Sequence, residues 1–385
     1  MRNNSALLAL AAFLAAGTCS FAADPMPMEV GAWPKVGFET SVNLEYDSFT
    51  PAHGPSGSAL NIQAQNQILV ELDKYWSVSN LMTLEPGDDL TPGQNTVLAH
   101  HELFAEELFG RWNNQLVNVR FGKFAQNFAR AWYLTPGLYG QDFVGDYAIA
   151  ETLGVDAQFD LGLPTFGLHQ ISVSVFKADN SFLSGSLLHD RGQLNYADGG
   201  PGNTRGLNSF VMSYDATDVP VWSNVALDYQ LSAASLGAGA GADGNERRFA
   251  AGFDLNIPLN GGTVEQTLQG RFEELRLFAE GVHFDRADGL DGHWRDYLTG
   301  SAEFQHGQWV YDLTDTERWT GQPGQHGDYD SMQSLTVGYA LPSDTVVAVG
   351  LARERVGGET GLYVGVSLSQ TLTICDRCLI RARHY

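Results

Sequence analysis

The sequence predicts an all-β fold, a transmembrane antiparallel up-and-down β-barrel of about sixteen strands with an inward-folded third loop. Three observations lead to this prediction: an export signal at the N-terminus, alternating apolar and polar residues over most of the chain, and connections that alternate in length. In lipid, every backbone polar group needs a partner within the protein. A closed barrel provides these partners between neighbouring strands, so it crosses a membrane without any long apolar segment.

The first 22 residues have the composition of a secretory signal peptide. Arg2 supplies a positive charge, an apolar run follows from Ala6 to Ala16, and Ser20-Phe21-Ala22 fits a cleavage site. The apolar run is too short to span a bilayer as a helix, which favours cleavage over a membrane anchor. The predicted organisation is therefore a signal peptide at 1–22, a transmembrane β-barrel at 23–374 and a C-terminal periplasmic tail at 375–385.

The alternation is clearest between Gly361 and Ile374. In an extended strand, successive side chains point to opposite faces of the sheet. We expect one face to meet lipid and the other to line water. Glycine, serine and threonine occupy most odd-numbered positions here, and the apolar residues stand at even-numbered ones: Leu362, Val364, Val366, Leu368, Leu372 and Ile374.

The composition fits a barrel and argues against some functions. The 385 residues include 43 glycines and 11% aromatic residues, and the net charge is −23 at pH 7. Glycine suits turns and a pore-facing wall, and aromatic rings suit the two membrane interfaces. A chain this acidic is a poor nucleic-acid binder, so no nucleic-acid partner is predicted. Carboxylates facing a pore would favour cations.

Turn signals divide the alternating region into about sixteen strands. Short connections follow the even-numbered strands and long polar ones follow the odd-numbered strands, as periplasmic turns and extracellular loops do in outer-membrane barrels. The expected turns include 216–220, the expected loops include 318–329 and 356–360, and the long segment 260–270 breaks the rule. The longest connection, 179–206, is expected to be a surface loop. The predicted strands are 36–48, 59–72, 75–84, 97–109, 115–125, 147–160, 167–178, 207–216, 221–235, 246–258, 271–284, 295–304, 308–317, 330–341, 344–354 and 361–374.

Side-chain orientation can be predicted for the regular strands. In the first strand, Glu39, Glu45 and Asp47 would face water, and the apolar residues between them would face lipid. Two strands, 97–109 and 271–284, carry ionisable residues at positions of both parities. This pattern conflicts with a lipid-facing side, because a charge at mid-bilayer costs about 2–4 kcal/mol.

The connection at 126–146 is unusually aromatic for an exposed loop, and packing inside the barrel would explain this. The alternative is an external loop with a small apolar cluster of its own. Within this segment, Asp142 and Asp146 are expected to face Arg120 and Arg130. Opposed charges of this kind would set a transverse electric field and hence the ion selectivity of a pore.

The residues around this connection resemble a known family. Val119-Arg120-Phe121-Gly122-Lys123-Phe124 is followed by Ala131-Trp132, by Pro136-Gly137-Leu138-Tyr139-Gly140 and by Asp146-Tyr147. These motifs resemble the proteobacterial outer-membrane porins, Gram-negative porin-type β-barrels in which a Gly-Lys-Phe strand end leads into the third loop. The resemblance implies passive diffusion, and a homotrimer. The chain departs from the family after Ile374, because its tail ends on an aromatic residue, Tyr385, but does not alternate.

Other candidate chemistry is weaker. Cys375 and Cys378 form a single C-x-x-C pair, for which a local disulfide is predicted and an inert pair is the alternative. His100 and His101 are neighbours in a predicted strand and would point to opposite faces, so no metal site is predicted there. The sequence has no nucleophile elbow, phosphate-binding loop or dinucleotide fingerprint, so neither a cofactor nor an enzyme activity is predicted.

The sequence therefore favours a water-filled outer-membrane channel that passes small hydrophilic solutes or ions by diffusion, with a preference for cations. The predicted partners are outer-membrane lipid, lipopolysaccharide and the barrel assembly machinery. Two alternatives stay open: a substrate-specific channel for a sugar, an organic acid or a chelate, and a plugged structural or adhesive barrel. The residues expected to line the pore or its constriction are Glu39, Glu45, Asp47, Arg120, Arg130, Asp142 and Asp146.

Overall fold

The computed structural model describes residues 33–375 except for 88–89, 115, 163–165, 190, 223–224, 260–272, 325–326 and 342–344. Its strands form a single sheet that closes on itself, because β1 pairs with both β2 and β17. The strands are β1 (Lys35–Pro51), β2 (Gly57–Glu71), β3 (Trp76–Pro86), β4 (Asn95–Val97), β5 (His101–Asn113), β6 (Val117–Phe124), β7 (Thr152–Asp160), β8 (Leu168–Ala178), β9 (Ser209–Trp222), β10 (Val225–Leu236), β11 (Glu246–Pro258), β12 (Glu273–Asp285), β13 (Trp294–His306), β14 (Trp309–Gly321), β15 (Asp328–Leu341), β16 (Thr345–Val356) and β17 (Glu359–Cys375).

The wall of the barrel consists of sixteen of these strands, each antiparallel to its neighbours. The remaining strand, β4, pairs in parallel with the first residues of β2. Each of the sixteen predicted strands overlaps one of the wall strands, so the predicted barrel is confirmed, although the strands predicted at 97–109 and 147–160 begin four and five residues before β5 and β7. An even number of strands brings the two chain ends to one rim, where Gly37 lies opposite Cys375.

The predicted orientation of the side chains is also confirmed in the regular strands. In β17, Leu362, Val364 and Val366 are exposed on the outward face, whereas Ser367 is buried on the inward face. In β11, the phenyl rings point outward and are exposed, while Arg248 is buried on the other side. The outward face is thus apolar and the inward face carries the polar groups.

The irregular strand predicted at 97–109 contains a β-bulge. In the register between β3 and β5, Leu81 pairs with Glu107 and Met82 pairs with Ala105, so Glu106 is an extra residue. A bulge lets two consecutive side chains lie on one face. Thr83 donates a hydrogen bond to Glu106, and Glu107 accepts the backbone N–H of Ala125, so both carboxylates are used on the inward side. The broken alternation therefore does not place either charge in lipid.

The other irregular strand, β12, carries apolar residues on its inward face. Phe278, Val282 and Phe284 are buried there, and they belong to an apolar cluster that includes residues of the connection between β6 and β7. The inward face of β12 is therefore apolar where it packs against protein rather than water.

Three predicted connections are corrected by the structure. The turn expected at 216–220 lies within β9, which continues to Trp222 with register shifts opposite β10. The loop expected at 318–329 is shorter than predicted, because β14 continues to Gly321 and β15 begins at Asp328. The loop expected at 356–360 is a tight hairpin whose two glycines, Gly357 and Gly358, have φ of 58° and 86°. The long segment at 260–270 lies outside the described residues.

Helical structure is confined to short segments outside the wall. The described helices are one turn of α-helix, α1 (Ala131–Leu134), and four short 3-10 turns at Val144–Asp146, Phe182–Ser184, Tyr196–Asp198 and Ala287–Gly289. In the described part of the chain, no helix has the length and apolar character needed to cross a membrane.

The orientation of β2 gives a direct test with two adjacent residues. Ala64 faces outward, like the exposed Ile68, and Gln63 faces inward and is exposed. We expect Ala64→Arg to lower the free energy of unfolding by about 2–4 kcal/mol, because the charge would enter lipid. Gln63→Arg places the same side chain in the lumen and should change it by less than about 0.5 kcal/mol. Urea unfolding in lipid vesicles measures both values, and equal losses would contradict the assigned orientation.

Candidate channel interior

The chain leaves the barrel wall at the end of β6. This strand ends at Phe124 and the next wall strand begins only at Thr152, which leaves a long connection between them. Near the exit, Gly122 has φ of 134°, a conformation that L side chains rarely adopt. A Cβ at this position would also collide with the carbonyl oxygen of Leu108. Glycine is therefore required where the chain turns away from the wall.

This connection, hereafter the inner segment (125–151), is hydrogen-bonded near its start to β9 and β10, which do not pair with β6. The Asn127 amide donates to Ser213 and Asp215 of β9, at 2.7 and 2.8 Å. It also accepts a hydrogen bond from Gln230 of β10, at 2.8 Å. Ser213 and Gln230 are buried and share the inward face of their strands. The inner segment thus contacts the inward face of the wall.

Glu280 of β12 holds the middle of the inner segment. This carboxylate is 2% exposed and accepts the backbone N–H groups of Arg130 and Ala131 at 2.6 and 3.0 Å. It also accepts the hydroxyl of Tyr147 at 3.1 Å. Burial, reinforced by the charge of Glu280, raises the pKa of Tyr147 well above its usual value, so the phenol stays protonated and donates. Three donors from two parts of the inner segment thus converge on one charge.

An apolar cluster fills the space around this anchor. Ala131 and Leu134 lie three residues apart, so α1 turns both toward the cluster. The cluster extends to inward-facing residues of six strands, from β8 to β13. Its members include Phe128, Val144, Tyr147, Ile149, Phe176, Val211, Ala234, Ala250, Phe278, Val282, Phe284 and Tyr297.

The tip of the inner segment contacts β15 and β1. The Leu138 N–H donates to Thr336 of β15 at 3.1 Å, and the Tyr139 hydroxyl donates to Asp47 of β1 at 2.6 Å. Burial, with the Asp47 carboxylate as acceptor, raises the pKa of Tyr139, so this hydroxyl also stays protonated. Two wall glycines that pair in register, Gly350 and Gly365, lie under these residues.

The glycine pair makes room for the tip. A Cβ at Gly350 would lie 3.2 Å from both Leu138 and Tyr139, and a Cβ at Gly365 would overlap the Tyr139 hydroxyl. We call Gly350, Gly365, Thr336 and Asp47 the tip socket. Side chains larger than hydrogen at the two glycines would exclude the tip from its present position.

The charged residues predicted for the constriction are paired differently from the expectation. Asp146 accepts a hydrogen bond from Arg318 of β14 at 2.6 Å and another from Tyr297 at 3.0 Å. Arg130 belongs to the inner segment itself, and its guanidinium lies 3.6 Å from Asp228 of β10. The expected facing of Asp146 by Arg130 is therefore wrong, because both belong to the same segment and each pairs with the wall.

Arg120 is likewise neutralised by a neighbour. It forms an ion pair with Asp156 of β7 at 3.0 Å, and its guanidinium lies 4.7 Å from the ring centre of Phe124. Asp142 interacts electrostatically with Glu45 of β1 and with Tyr139, so three acidic groups, with Asp47, surround the Tyr139 hydroxyl. The structure brings together Glu45, Asp47 and Asp142 from the predicted set.

The remaining predicted residues lie apart from this group. Glu39 is buried near the rim that holds the chain ends and accepts the hydroxyl of Thr373 at 3.0 Å. It faces inward, as predicted, but it is far along β1 from the tip socket. Cys375 is the last residue of β17, and Cys378 lies outside the described residues, so the predicted disulfide stays a prediction.

Two aromatic side chains of the inner segment stay exposed. Trp132 and Tyr133 occupy the side of α1 opposite its buried residues, with exposed fractions of 37% and 41%. Tyr133 interacts electrostatically with Glu106, Glu107 and Arg120. Its hydroxyl therefore points toward β5 and β6, away from the apolar cluster.

The longest connection, between β8 and β9, is bound to the wall more closely than a surface loop. Because β6 pairs with β5 only from Leu108 onward, the preceding part of β5 lacks a strand on that side. Leu103 donates its N–H to the Ser186 hydroxyl at 3.0 Å and accepts the N–H of Leu187 at 2.7 Å. Residues 186–187 thus take the place of β6 as hydrogen-bond partners of Leu103, in the part of β5 that precedes Leu108.

Lys123 joins this connection to both ends of the inner segment. Its side chain is 0% exposed and lies 2.8 Å from Glu151 and 2.9 Å from Asp179. It also donates to the carbonyl of Leu183 at 3.1 Å. Glu151 binds Arg191 as well, so one acidic residue bridges two cations. The Gly-Lys-Phe strand end therefore acts as a clamp at the site where the chain leaves the wall.

Sequence reasoning missed the residues that hold the inner segment, chiefly Glu280 and Lys123. The inward apolar residues of β12 were a usable signal, since an apolar lumen face requires protein packed against it. The role of Glu280 as a hydrogen-bond acceptor could not be predicted from the sequence, because its donors are backbone N–H groups about 150 residues earlier in the chain.

Removal of the clamp should be strongly destabilising. In Lys123→Met, Asp179 would remain buried without its cation, and we expect a loss of about 3–5 kcal/mol in the free energy of unfolding. Lys74→Met is the matched control, because Lys74 is exposed in the turn before β3 and should change that value by about 0.5 kcal/mol or less. Urea unfolding measures both, and limited proteolysis between residues 179 and 206 reports release of the connection. Equal stability of the two variants would show that Lys123 is not a clamp.

Comparison with known proteins identifies the fold. No protein-family model and no curated protein sequence matches the chain. Among solved structures, Pseudomonas putida OprB is similar over 88% of this chain and 94% of its own, with 11% identity and a TM-score of 0.55. The outer membrane channel DcaP of Acinetobacter baumannii matches over 90% of this chain and 99% of its own, with 9% identity and a TM-score of 0.55.

A third structure gives the same result at lower similarity. A loop L8 deletion mutant of OmpT, an outer membrane protein of Vibrio cholerae, covers 87% of this chain and 99% of its own, with 7% identity and a TM-score of 0.50. At these identities the likeness concerns the fold alone. The chain therefore has the closed β-barrel fold found in Gram-negative outer-membrane porins and channels.

Proposed function

We propose that this protein is an outer-membrane channel through which small hydrophilic solutes and ions diffuse passively, with a preference for cations. The inner segment (125–151) lies inside the barrel along one part of the wall in this proposal and narrows the lumen. The observation that carries it is the series of contacts between this segment and inward-facing residues of the wall: Glu280 of β12, and the tip socket of β15–β17 and β1. These contacts support a segment that packs against the inward face instead of forming an external loop.

The lumen that remains is bounded by β1–β3 and β5–β7 in this proposal. The inward faces of these strands carry amides, hydroxyls and carboxylates, and the apolar cluster lies against β8–β13 instead. Exposed inward groups such as Gln63, together with the exposed rings of Trp132 and Tyr133, support an open passage on this side. A plugged barrel would bury these side chains.

The charges along this passage support a preference for cations. Glu106 and Glu107 face it from the bulge of β5, and Asp142 lies close enough to interact electrostatically with Tyr139 at the tip socket. Arg120, the nearest cation among the predicted residues, is already paired with Asp156. Uncompensated carboxylates raise the local concentration of cations in a narrow pore.

The cellular setting follows from the fold and the export signal. The apolar outward face belongs in lipid, and the predicted signal peptide would export the chain, so that the rim with both chain ends would face the periplasm. A homotrimer, lipopolysaccharide contact and insertion by the barrel assembly machinery remain predictions of the sequence resemblance. We propose no enzyme activity.

A substrate-specific channel is the second candidate, and the exposed aromatic pair favours it. Trp132 and Tyr133 present rings to the passage beside Glu106 and Glu107, an arrangement that can stack on a solute while accepting its hydrogen bonds. Such a channel would show current that a solute blocks in a saturable way. Current that depends only on solute size would support simple diffusion.

The preference for cations can be tested at the bulge. Glu106→Gln with Glu107→Gln removes two carboxylates from the passage while keeping their shape, so we expect the reversal potential in a KCl gradient to move toward zero. Asp296→Asn is the matched control, because Asp296 faces outward beside His283 and should leave the reversal potential unchanged. An unchanged value in the double variant would remove Glu106 and Glu107 from the selectivity of the channel.

The tip socket can be tested with one methyl group. We expect Gly365→Ala to dislodge Tyr139, so that the single-channel current switches between levels instead of holding one. Gly338→Ala is the control, since a Cβ at this inward glycine of β15 would have 3.6 Å to its nearest neighbour. Planar-bilayer recording compares both variants with the unchanged protein. Identical steady currents from all three would show that the tip does not border the conducting path.

A further inference from the structure

The outward face of β14–β16 carries a charge pattern found on no other described part of the barrel wall. Asp315 of β14 lies opposite Gln333 of β15, which lies opposite Arg353 of β16. The next outward row repeats the order with Glu317, Ser331 and Arg355. The acidic residues thus lie on β14 and the arginines on β16, and the neutral residues of β15 lie between them.

These residues point away from the lumen. Leu313, Leu335 and Leu351 precede or follow them at two-residue spacing on the same strands and are exposed. The residues between, such as Thr314 and Ala352, are buried on the inward side. Asp315, Arg353 and Arg355 are therefore exposed on the face that elsewhere meets lipid.

The row of Asp315 lies within the band that should be apolar, and the row of Glu317 lies at its edge, in contact with Tyr329. On the outward face, Trp309 packs against Tyr339 near one rim, with ring centres 4.7 Å apart. Trp319 packs against Tyr329 near the other rim, with ring centres 5.8 Å apart. Such aromatic pairs mark the two interfaces of a membrane. Asp315 lies between these two aromatic pairs, in the part of the wall that would face hydrocarbon.

The chain does not neutralise these charges itself. Asp315 accepts a hydrogen bond from Gln333 at 3.0 Å, and Glu317 accepts one from the Tyr329 hydroxyl at 3.0 Å. Among the described residues, neither Arg353 nor Arg355 has a carboxylate within ion-pair distance. The acidic and basic strands are two strand spacings apart, about 10 Å, which is too far for a direct pair.

We propose that a second copy of this chain packs against the face formed by β14–β16, with Asp315 and Glu317 of one copy against Arg353 and Arg355 of the next. The inference rests on the proposed outer-membrane location. Rotation about an axis along the membrane normal brings the left side of a face against the right side of its neighbour. Every cyclic assembly centred on this face therefore brings an acidic strand against an arginine strand.

A second copy fits the face better than an anionic lipid does. Phosphate groups would be attracted by Arg353 and Arg355 but repelled by Asp315 and Glu317 about 10 Å away. The two halves of the face are complementary to each other, which is the property that a contact between identical chains requires. The exposed leucines beside the charged rows supply apolar contact for the same surface.

Charge reversal distinguishes these occupants. The variants are Asp315→Arg with Glu317→Arg, Arg353→Glu with Arg355→Glu, and the combination of all four changes. We expect the unchanged protein to have a multiple of the chain mass in detergent by analytical ultracentrifugation, each two-site variant to fall to the mass of one chain, and the four-site variant to regain the assembly.

The controls separate this inference from failure to fold and from failure of the proposed channel. Arg247→Glu reverses an outward charge on β11, away from the face, and should leave the mass unchanged. Single-channel conductance by each dissociated variant shows that the barrel is folded and conducts without its neighbours. An unchanged protein with the mass of one chain, two-site variants that keep the assembly, or loss of lipopolysaccharide binding with no change in mass would each overturn the inference.

Discussion

The structure depends on the requirement that every backbone polar group in a membrane-spanning wall has a partner. Closure between β1 and β17 meets this requirement around the circumference. The departure of β6 at Phe124 violates it, because the upper part of β5 loses a neighbouring strand. Ser186 and Leu187 restore the missing hydrogen bonds, and Lys123 fixes the connection that carries them. An inward segment thus needs a second connection that repairs the wall, and the two are joined by one buried cation.

The same requirement for hydrogen-bond partners explains how the inner segment is held inside the barrel. Glu280 takes a desolvated position only because two backbone N–H groups and a phenol surround it, and the inner segment in turn satisfies donors that have no helix or strand to use. The Glu280 carboxylate and the backbone N–H groups of the inner segment therefore stabilise each other. Removal of either one would leave the other buried without a hydrogen-bond partner. At the tip socket the fit is steric, because Gly350 and Gly365 leave the space that the Tyr139 side chain occupies. An electrostatic anchor and a steric socket thus hold one segment at two places.

The sequence was sufficient for the wall but only partly for the interior. Strand number and orientation follow from a period of two residues, which is a local property that lipid and water impose on every regular strand. The extra strand length of β9, β14 and β15 was not predictable, because the segments 216–220 and 318–329 contain proline or glycine together with polar residues, a composition that suits a turn as well as the end of a strand in water. The sequence identified charged residues of the inner segment but not their partners: Asp146 pairs with Arg318 of β14 and not with Arg130 or Arg120. Such pairings depend on which wall strands a long segment contacts. No periodic pattern in the sequence predicts those contacts.

The departures from alternation carry more information than the alternation itself. Alternation states only that a strand has lipid on one side and water on the other. At Glu106 the pattern breaks because a bulge rotates the strand, and both acidic residues reach the lumen. At Phe278 it breaks because the lumen face meets protein instead of water. By the same reasoning, the charges at Asp315 and Arg353 break it because the outward face there meets something other than lipid, and the complementary order of these charges makes another copy of the chain the surface that fits.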